Sequence, residues 1–352
     1  MNRGNGILER IIQRQYDIST GQLAKIDDLP KLEKYTICNL RGGIGKTTLA
    51  FNLSYLAGDI LAVDTCPQGN LSYFFDNNYY TNVNVSAYDM ILPYMIPGLG
   101  RATRVGTRIS ATNKFFSNKG YYIPSSDQLY VLPSQMSTAL SQAGSLQGTN
   151  RDTAIQNILF SLRNEVSREM AEIEVSKCLI DTSPFFAGAT QLSWHATDAL
   201  IIPVRTDQQS VNSLMLLLKI LSDPASEFRK YLPANYPTPK IQMVVLTHGT
   251  WSTAKGSRNI PNQQTLIYLE KIADIVNRHI QHFTTLDPAN HLVLLDDFMG
   301  SGKISSALSK PVLLMNDGDS MRVNRIKTTV NASVEKCKNQ LKFIANSILV
   351  KL

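Results

Sequence analysis

The chain has 352 residues, 43% hydrophobic and 18% charged, which suits a soluble globular protein with room for one large α/β domain or two small ones. Its formal charge of +7, with an isoelectric point near 9.1, permits contact with nucleic acid or anionic lipid. No apolar run reaches the roughly eighteen residues of a membrane span, the N-terminus lacks a secretory apolar core, and four scattered cysteines and five histidines form neither a disulfide framework nor a zinc pattern.

Residues 1–34 read as a polar extension with a short helix over residues 7–16, too short to fold alone and expected either to pack on a partner subunit or to fray. From residue 35 a single domain is expected to run to residue 352. Tyr35-Thr36-Ile37-Cys38-Asn39-Leu40 predicts a buried strand, residues 41–48 a glycine-rich loop, and residues 47–56 the first turns of a helix. Residues 59–63 give a second strand that ends at Asp64. Residues 91–126 carry Arg101, Arg104, Arg108, Lys114 and Lys119 and no acid, and predict a long basic surface excursion. Residues 129–132 give a third strand, stopped by Pro133.

Ile155, Leu159, Leu162, Val166, Met170 and Ile173 recur at helical steps and predict one amphipathic helix. It leads to the strand Cys178-Leu179-Ile180, which ends at Asp181. Further strands are expected over residues 199–204, 241–246 and 291–295. His279 and His282 read as surface residues of a helix. Residues 321–352 predict a C-terminal helix, with Arg322, Arg325, Lys327, Lys336, Lys338 and Lys342 outside. Its apolar stripe is Val330, Val334, Cys337, Leu341, Ile344, Ile348 and Leu349. Continuous apolar runs separated by helices predict an α/β fold: a doubly wound, mostly parallel sheet of about seven to eight strands flanked by helices. Ligand then sits at the carboxyl ends of the strands, where residues 41–48, Asp64 and Asp181 all fall.

The loop over residues 41–48 reads Arg-Gly-Gly-Ile-Gly-Lys-Thr-Thr. Gly42, Gly43 and Gly45, with Ile44 and Thr48, let backbone N–H groups converge on one anion at a helix N-terminus. Lys46 is placed to reach the β- and γ-phosphates, and the Thr47 hydroxyl to ligate Mg²⁺. The generic phosphate-loop pattern wants glycine where Leu40 stands. The variant present, a basic residue followed by Gly-Gly-x-Gly-Lys-Thr-Thr, resembles the deviant Walker A loop of the ParA/MinD family of P-loop ATPases.

Other segments carry the same resemblance. Asp64-Thr65-Cys66-Pro67-Gln68-Gly69-Asn70 resembles the family's switch segment, Asp-x-Asp-Pro-Gln-Gly-Asn, except that Cys66 replaces the second carboxylate. In the family that carboxylate helps organise the attacking water; a thiol is a weak acceptor without fixed charge. Residues 178–184 resemble a Walker B strand, which implies Asp181 near Mg²⁺ with Thr47 and Asp64. Arg41 holds the place of the signature lysine, which in the family crosses to the ATP of the other subunit. Val245-Leu246-Thr247-His248 resembles the strand end near adenine. Met299-Gly300-Ser301-Gly302-Lys303 looks like a second phosphate loop, but Ile304 follows the lysine. By position it resembles a late loop near the nucleotide and the dimer interface.

The resemblance implies a slow ATPase that uses ATP and Mg²⁺, with Arg41, Lys46, Asp64 and Cys66 at the chemistry. It also implies an ATP-dependent homodimer, nonspecific DNA binding, a ParB-like or other adaptor partner, and a cytoplasmic, nucleoid-associated role in segregating or positioning cargo. Two alternatives stay open: a hydrolysis-impaired scaffold on DNA, motivated by Cys66, and a MinD-like membrane-positioning ATPase. For the second, Lys342 and Lys351 are few charges for a membrane helix, so DNA is favoured over membrane.

Overall fold

Short apolar strands, most of them buried on both faces, assemble into an eight-stranded sheet in the order β3-β4-β2-β5-β1-β6-β7-β8. These are Lys34–Ile37 (β1), Leu61–Asp64 (β2), Thr107–Arg108 (β3), Tyr121–Ile123 (β4), Cys178–Asp181 (β5), Ala199–Arg205 (β6), Lys240–Gly249 (β7) and Leu292–Asp296 (β8). All pair in parallel except β3, which runs antiparallel to β4 at one edge. The computed structural model describes residues 3–26, 28–82, 85–102, 104–186, 188–233, 236–252 and 259–350. Lys351 and the last residue of the expected C-terminal helix lie outside that set.

Alternate strand residues feed opposite cores, as the period of two requires. Ile37, Ala62, Leu179, Ile201, Met243 and Val245 pack under the helix Lys46–Ala57 and the C-terminal helix. Leu61, Val63 and Ile180 turn to the other face, as do Leu200, Ile202, Val244 and Leu246. Strand β1 lies between β5 and β6, so chain direction across the sheet reverses beside it. Such a switch point leaves a crevice above the carboxyl ends.

The N-terminal helix α1 (Arg3–Ser19) packs within the chain, along the edge strand β8. Arg10 makes a two-toothed ion pair with Asp287, and the buried Arg14 guanidinium donates to the carbonyls of Ala289 and Leu292. The Gln15 amide works as a surrogate strand residue: it donates to the Leu294 carbonyl at 3.3 Å and accepts the Leu294 N–H at 3.2 Å. Gln340 accepts the Asp296 N–H at 2.8 Å. Side chains thus occupy an edge that would otherwise invite strand pairing. Gln15→Ala should leave two buried backbone groups unpaired, at a cost of about 1–3 kcal/mol. Urea unfolding checks this: the midpoint should fall with the slope unchanged, and an unmoved midpoint would contradict the role.

Four expectations are corrected. Residues 129–132 are not a strand but a 3₁₀ turn, Asp127–Tyr130, running into the helix Leu132–Gly144. Pro133 stands in that helix's first turn, where its missing N–H costs nothing. The strand on that side is β4, inside the supposed surface excursion; Tyr122, Ile123, Ile109 and Phe116 there are buried. Two of the excursion's cations are used internally, Arg101 by Glu165 and Lys119 by Glu174. The single amphipathic helix is two, Gly148–Leu159 and Ser161–Glu172, broken at Phe160 with the apolar stripe kept in phase. Finally, residues 321–332 are not helical. Ser320–Val323 (β9) and Ile326–Thr329 (β10) form an antiparallel hairpin, and only Ser333–Ile348 is helix.

Candidate nucleotide-binding site

The loop after β1 makes a tight left-handed path into the helix α2 (Lys46–Ala57). Gly43 and Gly45 have φ of +69° and +89°, a region where a side chain would be strained. Ile44 is buried, so it offers the loop its backbone, and its carbonyl accepts from the Thr247 hydroxyl at 3.1 Å. That bond ties the end of β7 to the loop. Lys46 is folded back over its own loop and donates to the carbonyls of Arg41 at 2.8 Å and Asn39 at 3.3 Å. Burial lowers its pKa, with the nearby Asp181 opposing. It is poised to exchange two backbone acceptors for phosphate oxygens.

Asp64 and Asp181 are paired residues at the ends of the adjacent strands β2 and β5. Asp181 accepts from the Thr47 hydroxyl at 2.7 Å through Oδ2, while its buried Oδ1 has no partner among the described residues. Both Asp64 oxygens are engaged: Oδ1 accepts the Cys66 N–H at 3.0 Å, and Oδ2 accepts the Ser72 N–H and hydroxyl at 2.8 Å each. Asp64 therefore caps the helix α3 (Asn70–Phe75) and shapes the switch turn. Burial raises both carboxyls, Asp64 to about 6 and Asp181 to about 7, where the charge of Asp64 adds to the effect. A site that resists two negative charges suits the binding of a cation. The donors suit Mg²⁺: hydroxyl and carboxylate oxygens, one of them orphaned. Among the described residues no group of three or more His, Cys, Asp or Glu side chains could hold a metal alone. Phosphate oxygens and water would have to complete the shell, as is usual for Mg²⁺.

Cys66 is 5% exposed, and burial, then Asp64, pushes its thiol up to about 12. It stays a neutral thiol at physiological pH. Its carbonyl accepts from Ser125, just beyond β4, and Ser125 N–H donates to the Ser72 hydroxyl at 2.9 Å. The sequence reading missed Ser72 and Ser125, because they reach the site from an adjoining helix and strand rather than from a motif. It also missed Asp207. Arg41 is held by the Asp207 carboxylate and by the Ser210 hydroxyl at 2.7 Å. Asp207 caps the helix Gln208–Ser222 through the Ser210 N–H. Burial opposes its ionisation, but the Ser210 N–H and Arg41 together hold its pKa below the ordinary value.

A cavity of about 950 Å³ opens beside the loop, lined by Gly43, Gly45, Thr48, Thr247 and His248. The expected late loop, from Met299 to Lys303, is instead the start of a helix, Met299–Leu308, and that helix and the β9–β10 hairpin supply its other walls. His248 sits at φ +58°, and its buried Nδ1 has no partner among the described residues. Burial, then Arg205, lowers its pKa, so it is neutral and retains a free ring nitrogen for a ligand. Behind the cavity, Lys336 is not a solvated cation. It lies 3.7 Å from Asp296 and over the Trp251 ring, and burial pushes it down to about 8.

The family model described as an AAA domain matches residues 33–233. No curated protein matches the sequence. Among solved structures, an ATP complex of a Cyanothece McdA variant is similar at TM-score 0.60 and 18% identity, covering 91% of this chain and 98% of that one. Apo McdA from Cyanothece is similar at TM-score 0.55 and 19% identity, over 79% and 90% of the two chains. A putative plasmid partition protein from Borrelia burgdorferi bound to AMPPNP gives TM-score 0.51 and 16% identity, over 89% and 98%. At these identities the likeness is one of fold: the mostly parallel sheet and its flanking helices.

Proposed function

Because the chain belongs to the AAA-domain family, matched over residues 33–233, we propose that it is a ParA-like ATP-dependent dimerisation switch. It binds DNA without sequence preference and partitions or positions a plasmid, chromosome or other cargo. The observation that carries this reading is the cluster at the carboxyl ends of β1, β2 and β5: Lys46 folded on its loop, Thr47 bonded to Asp181, and Asp181 Oδ1 unpartnered. The similarly folded Cyanothece and Borrelia proteins hold ATP and AMPPNP, which supports it.

In this reading Lys46 moves from its backbone carbonyls to the β- and γ-phosphates. Thr47 and Asp181 are the residues that would hold Mg²⁺, and Asp64, its oxygens already engaged by the switch turn, would act on the site through the charge it places beside them. Bound Mg²⁺ supplies neutralisation of charge on the phosphate oxygens. Thr247 and His248 face the base. Hydrolysis is slow because Cys66 offers no carboxylate to orient water, and a ParB-like or other adaptor protein resets the switch by stimulating it.

Arg41 is the residue we assign to the partner's nucleotide, and its ion pair with Asp207 competes with that task. Asp207→Asn keeps a capping oxygen for the Ser210 N–H while removing the charge that detains Arg41. A partly exposed pair is worth about 0.2–1 kcal/mol. The variant should therefore dimerise with ATP at protein concentrations lower by a factor of about 2–5. Sedimentation velocity across a dilution series measures it, and an unchanged or weaker dimer would count against Arg41 as the crossing residue.

A second reading, an ATP-locked scaffold on DNA, draws on the buried neutral thiol of Cys66. The membrane reading finds less support than the DNA one. No helix among the described residues is long and apolar enough to cross a membrane. The apolar stripe of the C-terminal helix (Val334, Cys337, Leu341, Ile344 and Ile348) is buried in the main core and is not free to enter lipid.

A further inference from the structure

The β9–β10 hairpin has two unlike faces. Val323, Ile326 and Thr328 line the cavity that begins at Gly43, Gly45 and Thr48. On the opposite face Arg322 and Lys327 are direct cross-strand partners, and Arg325 stands at the tip. Like charges placed directly opposite each other destabilise a sheet. All three side chains are exposed, and no ion pair among the described residues includes any of them. Asp317 and Asp319 lie in the loop before β9, away from the tip, and the Asp319 carboxylate is occupied by the Asn316 N–H.

The turn itself is costly. Asn324 and Arg325 both have positive φ, +50° and +68°, the conformation of a two-residue hairpin turn that favours Asn-Gly. An arginine in the glycine position costs about 1–2 kcal/mol. A cation is thus kept at the tip against backbone preference, beside an uncompensated pair of cations. Local folding does not explain that arrangement, and a polyanion would.

We propose that the β9–β10 ribbon is the surface through which this chain grips the phosphate backbone of duplex DNA, and that nucleotide in the cavity on its other face controls that grip. The outer face carries Ser320, Arg322, Lys327 and Thr329, and the ribbon's exposed large apolar side chain, Ile326, belongs to the cavity face with Val323, which favours DNA over a membrane. The ribbon cannot move independently of the nucleotide's surroundings. A Cβ on Gly300, in the first turn of the helix Met299–Leu308, would stand 2.2 Å from the Thr329 carbonyl, so helix and ribbon are packed backbone to backbone. The inference rests on the reading of the chain as an ATP switch that binds DNA, and adds which element does the binding and how ATP reaches it.

The test is fluorescence anisotropy of the full chain with a labelled random-sequence duplex, in ATP-Mg²⁺ and in ADP-Mg²⁺, over a range of salt. A variant combining Arg322→Ala, Arg325→Ala and Lys327→Ala is run alongside. Wild type should bind at least tenfold tighter with ATP than with ADP. The variant should lose at least tenfold in the ATP state, with its salt slope reduced by about 3 per chain. Its ATP affinity and its ATP-dependent mass should be unchanged, since none of the three residues touches the phosphate loop. A variant that binds ATP-dependently like wild type would overturn the ribbon's role and leave the proposed function standing. Equal DNA affinity in ATP and ADP would overturn the coupling. A wild-type chain that ignores DNA but binds phosphatidylserine vesicles would overturn the inference together with the DNA part of the proposed function.

Discussion

Cys66→Asp should raise the rate of ATP hydrolysis by about 10²-fold, the scale on which a positioned acid–base group acts. The wild-type thiol is buried beside Asp64 and, held near 12, carries no charge that could orient or polarise water. The substitution restores a carboxylate at a place already shared by Asp64 and Asp181, so the gain should appear only with Mg²⁺ present to neutralise the cluster. Cys66→Asn, similar in shape but uncharged, should show no such gain. Single-turnover phosphate release separates the outcomes. If the rate does not rise while ATP still binds, Cys66 is not what limits hydrolysis. If partner-stimulated turnover in wild type is already fast, the scaffold reading fails.

Asp181→Asn is expected to do two opposite things. With Mg-ATP it should lower the hydrolysis rate by about 10²–10³-fold, because a carboxylate oxygen assigned to the ion is lost. Without nucleotide it should make the chain more stable at pH 8. The carboxyl of Asp181 is raised by burial and by Asp64 to about 7. A carboxyl raised in the folded state holds its proton there while the unfolded chain gives it up. Its favourable contribution is complete below the ordinary carboxyl range and is lost as pH climbs through about 7. Asp64, raised to about 6, has the same sign. The wild-type apo protein should therefore melt lower at pH 8 than at pH 5 as far as this pair is concerned. Asp181→Asn should flatten that dependence and melt about 3 °C or more higher at pH 8. Differential scanning calorimetry at both pH values decides the point; a variant less stable than wild type at pH 8 would mean that the charge is not strained in the apo site. Such a trade of stability for function is common at sites whose charges are arranged for a ligand.

Much of the site was legible because its parts are local. The phosphate loop, Asp64 and Asp181 each end an apolar run, and parallel strands carry their ends to one edge of the sheet. The fold class was legible for the same reason: continuous buried runs separated by helical patterns leave few other architectures. What stayed hidden depends on pairing between distant segments. Asp207 reads as a helix cap, and nothing in its neighbourhood announces Arg41, 166 residues away. Strand β4 has only three residues and lacks the length that makes a run stand out. Gln15 and Gln340 look like ordinary polar positions on helices, and sequence periodicity has no signal for a side chain that completes a sheet edge. The β9–β10 hairpin was absorbed into the C-terminal helix for a specific reason. Val330 and Val334 extend a four-residue spacing backward, and the turn uses Asn324-Arg325 instead of a glycine.

The measurement that bears most directly on the whole account is mass by light scattering in the apo, ADP-Mg²⁺ and ATP-Mg²⁺ states, with phosphate release followed in the same samples. The switch reading predicts a monomer in the first two states and a dimer with ATP alone, decaying slowly as phosphate appears. Mass that does not change with ATP, in a sample that demonstrably binds it, would contradict the reading: Arg41 would then not serve a partner's nucleotide, and the partition-type mechanism would have to be given up.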